Sequence, residues 1–198
     1  AVHSDLVSRK EIYEKYKEKN RGRYHENSSI AAMTEDMDLS VGKILEKVKE
    51  LGIEDNTYVI YMSDNGAVEQ ILGSKKTNKE NRGYNYPLRH GKGTLYEGGI
   101  RVPLIAYWRG KIKPGSQSNH IGSFQDIMPT FSDLIGYKEL LKTDGISFLP
   151  TLLSKNQKFH DFLNWEFQLS GWFQEIPNGG FRQSARMGKW KAVRYNLD

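Results

Sequence analysis

Between residues 30 and 51 apolar side chains return at three- and four-residue steps: Ile30, Met33, Met37, Val41, Ile44, Leu45, Val48 and Leu51. That recurrence is one face of a 3.6-residue helix. Asn27 and Ser28 stand where an N-cap belongs, and Gly52 where a glycine would stop the helix. Ahead of it Glu11–Lys19, charged and with tyrosines at 13 and 16, predicts another helix, ended by Asn20-Arg21-Gly22. The pattern then changes. Thr57–Met62 is a continuous, β-rich apolar run, as expected of a strand buried on both faces in a parallel sheet covered by helices. Ile100–Trp108 predicts a second strand whose pairing Pro103 constrains. Asp126 reads as the N-cap of a short helix through Leu134, with Pro129 in its first turn and Gly136 after it. Asp144-Gly145 turns into Ile146–Leu153, a further short apolar element. Phe162–Phe167 predicts a strand and Gly171–Gly180 a loop. Ser184–Met187, Gly188-Lys189 and Trp190–Tyr195 predict a hairpin with a Gly-X turn. Alternating helix and strand followed by a run of strands describes an α/β unit and then a small antiparallel subdomain. We place the boundary between 1–153 and 154–198, with the second part expected to be incomplete.

Composition narrows the picture only a little. A chain of 198 residues can bury a core and suits one domain, or one domain and a fragment. Apolar residues make up 37%, low for a compact globule, and no run approaches the roughly 20 of a membrane span. The start has neither the basic n-region nor the apolar core of a signal segment. Absence of cysteine excludes disulfides and thiolate metal sites. A net charge of +5 favours an anionic partner but is too diffuse to mean nucleic acid. Asp36 and Asp38 read as solvated helix charges, and His25, His120 and His160 as ordinary histidines without partners at metal-ligand spacing.

Candidate chemistry sits in Arg89-His90-Gly91-Lys92-Gly93-Thr94-Leu95-Tyr96-Glu97-Gly98-Gly99-Ile100-Arg101-Val102-Pro103. Glycines allow close backbone approach, so this loop delivers one lysine in a tightly shaped setting. It is not a Walker A loop: Tyr86 stands where the first glycine belongs, and Gly93 follows the lysine. A glycine-rich surface turn with an incidental lysine is the plainer alternative. A second stretch, Ser63-Asp64-Asn65-Gly66, directly follows the first apolar run, and ligand groups gather at the carboxyl ends of such strands. Asn-Gly is also a hairpin signal, although the residues after Gly66 do not alternate as a return strand should. Asp64 and Asn65 offer one anionic and one neutral oxygen, which suits Ca²⁺ or Mg²⁺. Between the two stretches Gln70–Leu88 is long and polar, with Lys75, Lys76, Lys79 and Arg82 followed by Tyr84 and Tyr86. Loops of this length are usually functional or disordered.

Together the two stretches resemble the sulfatase family of the alkaline-phosphatase-like superfamily. Its signature segments include a strand ending in Ser-Asp-Asn-Gly and a later Gly-Lys-Gly-Thr-x-Tyr-Glu-Gly-Gly-x-Arg-x-Pro. The resemblance runs through essentially the whole chain. It implies an α/β fold, the distal part of an alkaline-phosphatase-like sandwich, with the antiparallel subdomain after it. It implies that Asp64 and Asn65 are metal ligands, usually of calcium, and that Lys92 lies against the sulfate group. Val2-His3-Ser4-Asp5-Leu6 resembles the family's histidine segment, with Asp5 where proline is more common. His3 would then contact the sulfate or the leaving-group oxygen as proton donor. Glu97 and Arg101 occupy fixed family positions and read as framework; His90 replaces a residue often small in the family and reads as a substrate-side contact. Lys75, Lys76, Tyr84 and Tyr86 are expected at the mouth of the site, unless that loop is simply solvated.

Sulfatases use a formylglycine made from the first residue of Cys- or Ser-x-Pro-x-Arg, and no such segment occurs here, nor the early pair of aspartates that completes the metal site. The resemblance therefore implies the carboxy-terminal part of a sulfatase, inactive alone and partnered by the amino-terminal half of its own domain. It also implies a sulfated sugar or aryl sulfate as substrate, and a periplasmic or secreted setting. Two rivals remain at this point: a phosphodiesterase or phosphonate hydrolase of the same superfamily, and a non-catalytic module binding anionic glycans.

Overall fold

The computed structural model describes residues 6–20, 22, 27–68, 85–137, 142–168 and 181–195. The chain forms two compact units, Ala1–Thr57 with Met62–Pro103, and Tyr58–Tyr61 with Leu104–Asp198.

The first unit opens with α1 (Lys10–Lys17) and α2 (Ser28–Glu50). The predicted start of α2 holds: the Asn27 side chain accepts the Ile30 N–H at 3.0 Å. Its predicted stop holds too, with Gly52 at φ +67°, a left-handed conformation cheap only for glycine. Where the two helices meet, Ile12, Ala32 and Met33 are buried. Polar pairs flank that contact. Lys15 Nζ reaches both Glu35 carboxylate oxygens at 2.8 and 2.7 Å, and Asp36 accepts the Arg9 backbone N–H at 3.0 Å and pairs with the Arg9 guanidinium. Asp36 is thus an anchor for the α1 entry rather than a solvated charge. The hydrogen bond from Lys15 holds the Glu35 carboxyl below its ordinary range, and the Arg9 N–H does the same for Asp36. The second half of the α2 stripe is not covered in the same way. Ile44 and Leu51 are each 61% exposed.

β1 (Val59–Met62), in the second unit up to Tyr61, and β2 (Leu104–Tyr107) form a two-stranded sheet. The expectation of a strand buried on both faces fails, because β1 is half-buried at every position. The second predicted strand also starts late: Ile100 closes a short helical turn, α3 (Glu97–Ile100), and pairing begins only past Pro103, which has no N–H to give. Tyr58 packs edge-on against Trp108 and Phe131, with centroids 6.1 and 5.9 Å away, and burial pushes its hydroxyl pKa up to about 12.

The region around α4 (Ile127–Leu134) is organised differently from the expectation. Ser123 caps a 3-10 turn over Phe124–Asp126 in a capping box, and the Asp126 side chain does not cap α4. Instead this fully buried carboxylate accepts from the Ser123 N–H (2.7 Å), the Ile146 N–H (2.8 Å) and His160 Nε2 (2.7 Å). His160 is therefore not an ordinary surface histidine but a near-buried partner of Asp126 ahead of the last sheet. His120 lies close by, its ring tilted at 45° against Phe159 with centroids 5.4 Å apart. Burial lowers its pKa; the field of Asp126 opposes that and the field of His160 adds to it. Of Ile146–Leu153 only Leu149–Leu152 is helical (α5), with Pro150 in its first turn.

β3 (Leu163–Gln168), β4 (Phe181–Met187) and β5 (Trp190–Tyr195) form an antiparallel sheet in that order. Met187 faces Trp190 across the two-residue loop Gly188-Lys189, and Gly188 takes φ +55°. This is the predicted Gly-X hairpin.

Candidate functional site

The two stretches singled out above lie in the first unit and meet through their backbones. The Gly66 N–H donates to the Gly99 carbonyl at 2.9 Å, and the Lys92 N–H to the Ala67 carbonyl at 2.9 Å. Residues distant in sequence thus form one loop pair: the strand end with Asp64 and Asn65 on one side, the lysine loop on the other.

Close approach explains the glycines. A Cβ on Gly66 would strike the Gly98 carbonyl, one on Gly98 the His90 carbonyl, and one on Gly99 the Thr94 carbonyl. Gly93 is different: nothing crowds it, but it takes φ +84°. Within the loop the Gly98 N–H donates to the Arg89 carbonyl at 2.8 Å, and the Thr94 hydroxyl to the Gly91 carbonyl at 2.9 Å. The glycine-rich segment that carries Lys92 is therefore a folded, hydrogen-bonded loop, not a loose turn.

On the strand side, Asp64 is exposed and Asn65 half-buried. The Ser63 hydroxyl donates to the Asn65 carbonyl at 2.8 Å, and Asn65 Nδ2 donates to the Gly66 carbonyl at 2.9 Å. With its amide nitrogen engaged, Oδ1 is the Asn65 side-chain atom left to act as an acceptor. A carboxylate and an amide oxygen side by side fit a hard divalent ion in kind. They do not complete its shell: among the described residues no group of three His, Cys, Asp or Glu side chains could hold a metal.

His90 sits at φ +58°, an arrangement that costs a non-glycine residue roughly 1–2 kcal/mol. Its ring stacks on Tyr96 with centroids 4.9 Å apart, and the Arg89 guanidinium lies 4.1 Å from the same tyrosine centroid. Strained residues that persist are held by their surroundings, and they cluster at functional sites. Glu97 and Arg101 are one helical turn apart, joined by a backbone hydrogen bond of 2.8 Å and a loose ion pair of 3.9 Å. Tyr86 is exposed and precedes Pro87 through a cis peptide bond. His3, Lys75, Lys76 and Tyr84 lie outside the described residues.

Sequence reasoning missed Asn85. Its amide nitrogen donates to the Ala67 carbonyl at 3.0 Å and to the His90 carbonyl at 3.1 Å, touching both loops. The signal was an asparagine opening a turn before Tyr86-Pro87, which reads locally as a turn former.

Comparison with known proteins places this mixed helix and strand chain in the alkaline-phosphatase-like class. The sulfatase family model matches residues 2–137, and the chain belongs to the sulfatase family. It is 40% identical over 135 residues to the N-acetylgalactosamine-6-sulfatase of Rattus norvegicus, covering 67% of this chain and 24% of that protein. It is 39% identical over 142 residues to the uncharacterized sulfatase YdeN of Escherichia coli K12, covering 70% of this chain and 24% of the relative. Among solved structures, Ps i-CgsB in complex with k-i-k-neocarrahexaose superposes with a TM-score of 0.77 at 28% identity, over 98% of this chain and 39% of that one. The chain thus spans about a quarter of the length of the curated relatives it matches.

Proposed function

We propose that these residues are the distal part of a metal-dependent sulfatase that removes sulfate from a sulfated sugar, and that the loop pair is half of its active site. The observation that carries this reading is the backbone seam between Gly66-Ala67 and Lys92-Gly99, which joins the loop of Asp64 and Asn65 to the glycine-rich loop of Lys92. Sulfate ester cleavage needs fixed positive charge on the sulfate oxygens and an acid at the leaving oxygen. Lys92 supplies the charge as a compact ammonium, a role lysine fills well. His3 protonates the alcohol oxygen as the S–O bond breaks. Asp64 and Asn65 would hold a calcium ion as two of its ligands, and the ion would add charge neutralisation. The remaining ligands and a formylglycine nucleophile would have to come from residues other than these 198. Lys75, Lys76, Tyr84, Tyr86 and His90 select the sugar, the lysines by charge and the rings by stacking. A relative named for N-acetylgalactosamine-6-sulfate and a neighbour bound to a neocarrahexaose support a glycan substrate.

The test is Lys92→Ala in the complete sulfatase, assayed on an aryl sulfate and on the matching aryl phosphate. Removing a preorganised charge costs about 10²–10³ in kcat. We expect that loss on the sulfate ester, with Asp64→Ala also raising the calcium concentration needed for half-maximal activity. Unchanged kcat in Lys92→Ala, or a clear preference for the phosphate ester in the parent enzyme, rejects the reading.

A further inference from the structure

We propose that Asn85 is a positioning residue: its amide fastens the loop carrying Lys92 to the loop carrying Asp64 and Asn65, so that cation and oxygen pair keep one spacing. The proposal deepens the sulfatase reading above and rests on it.

The geometry is specific. An asparagine amide nitrogen carries two hydrogens, and here one points at the Ala67 carbonyl (3.0 Å) and the other at the His90 carbonyl (3.1 Å). Both neighbours are acceptors only, so the amide orientation is unambiguous. The Ala67 oxygen also takes the Lys92 N–H at 2.9 Å, which fills both of its lone pairs from the lysine side of the seam. Asn85 is itself fixed, its own carbonyl accepting the Leu88 N–H at 2.7 Å.

The second acceptor matters as much. His90 holds a left-handed backbone, and its carbonyl lies so close to the Gly98 Cα that a side chain there would strike it. Asn85 donates to that same carbonyl, so the strained peptide is gripped from two sides just before the chain reaches Lys92. A charge aimed at developing negative charge works only when its position is set in advance. Displacement of about 1 Å can cost on the order of 10²-fold in rate. Asn85 touches neither sulfate nor metal in this scheme; it acts through the two loops that do.

The experiment compares Asn85→Ala and Asn85→Asp with the parent. In the 198-residue chain, amide hydrogen exchange is followed at Lys92 and Gly66, with Leu51 at the end of α2 as the reference. In the complete sulfatase, kcat and KM for an aryl sulfate are measured with calcium in excess. For Asn85→Ala we expect Lys92 exchange to rise at least 10-fold with Leu51 unchanged, and kcat to fall about 10- to 100-fold with KM within about threefold. Asn85→Asp keeps the shape but turns carboxylate oxygen toward two carbonyls, so it should do no better than alanine. Wild-type behaviour of Asn85→Asp, equal acceleration of Lys92 and Leu51 exchange, or an undiminished kcat overturns the proposal. An inactive parent enzyme overturns the sulfatase reading instead, and the exchange data then still decide whether Asn85 holds the loops together.

Discussion

Gly98 and Gly93 lie in the same motif for different physical reasons, and the difference can be measured. At Gly98 an added methyl meets the His90 backbone, which cannot swing aside as a side chain would. Overpacking of this kind costs about 3 kcal/mol, the upper part of its usual range. At Gly93 no heavy atom is near, and the cost is that of φ +84° alone, about 1 kcal/mol. We therefore expect Gly98→Ala to lower the urea midpoint of the chain well beyond Gly93→Ala; equal shifts would show that crowding at Gly98 is relieved by movement. The motif was legible as a string of glycines, since few other patterns put so many around one lysine. What each glycine does was not, because Gly66 is required by a carbonyl at Gly98 that sequence spacing does not bring near. Asn85 escaped for the same reason: a turn asparagine and a two-loop clamp look identical until both acceptors are in place.

At the level of elements, the three segments meeting at Asp126 give the second unit a pH response. Burial lowers the His120 pKa, so below the ordinary histidine value of about 6.5 the unfolded chain takes up the proton more readily than the folded one. Stability is then unaffected above that value and is lost as pH falls beneath it. Glu35 and Asp36 act in a separate window. Their lowered pKa values give stability present above the ordinary carboxylate range and lost only in stronger acid. We expect the melting temperature to fall between pH 7 and pH 5, and to fall less in His120→Phe, which keeps a ring against Phe159. An identical fall in the variant would assign the response to other groups. The hairpin and α2 were legible because their determinants are local: a Gly-X loop in one, a cap, a stripe and a terminal glycine in the other. Asp126 was misread because a local rule makes it a cap, while Ile146 and His160 lie 20 and 34 residues away. Turn α3 was hidden by its two glycines, poor helix formers that the loop needs for close approach.

Over the whole molecule, apolar side chains remain uncovered in each unit. Ile44 and Leu51 of α2 are exposed in the first, and Leu104, Ile105 and Tyr107 of β2 in the second, Ile105 by 61%. An apolar strand presenting itself to solvent is a recognised route to association. The alignment with curated relatives accounts for only 24% of their length, and no Cys- or Ser-x-Pro-x-Arg occurs among the 198 residues. On the proposed reading Asp64 and Asn65 would be only two protein ligands where calcium takes about 6 to 8 oxygens, so the chain alone should bind the ion weakly and mostly hydrated. Lys92 can still attract an anion, but attraction without a positioned nucleophile yields ground-state binding rather than turnover. We therefore expect the purified chain, given an aryl sulfate and excess calcium, to release no product above background and to sediment faster as its concentration rises. The complete sulfatase, run beside it, should turn over and should not show that concentration dependence. Turnover by the chain at a rate comparable to the complete enzyme would mean that its own residues contain the nucleophile, and would remove the basis for assigning the chain half of the site.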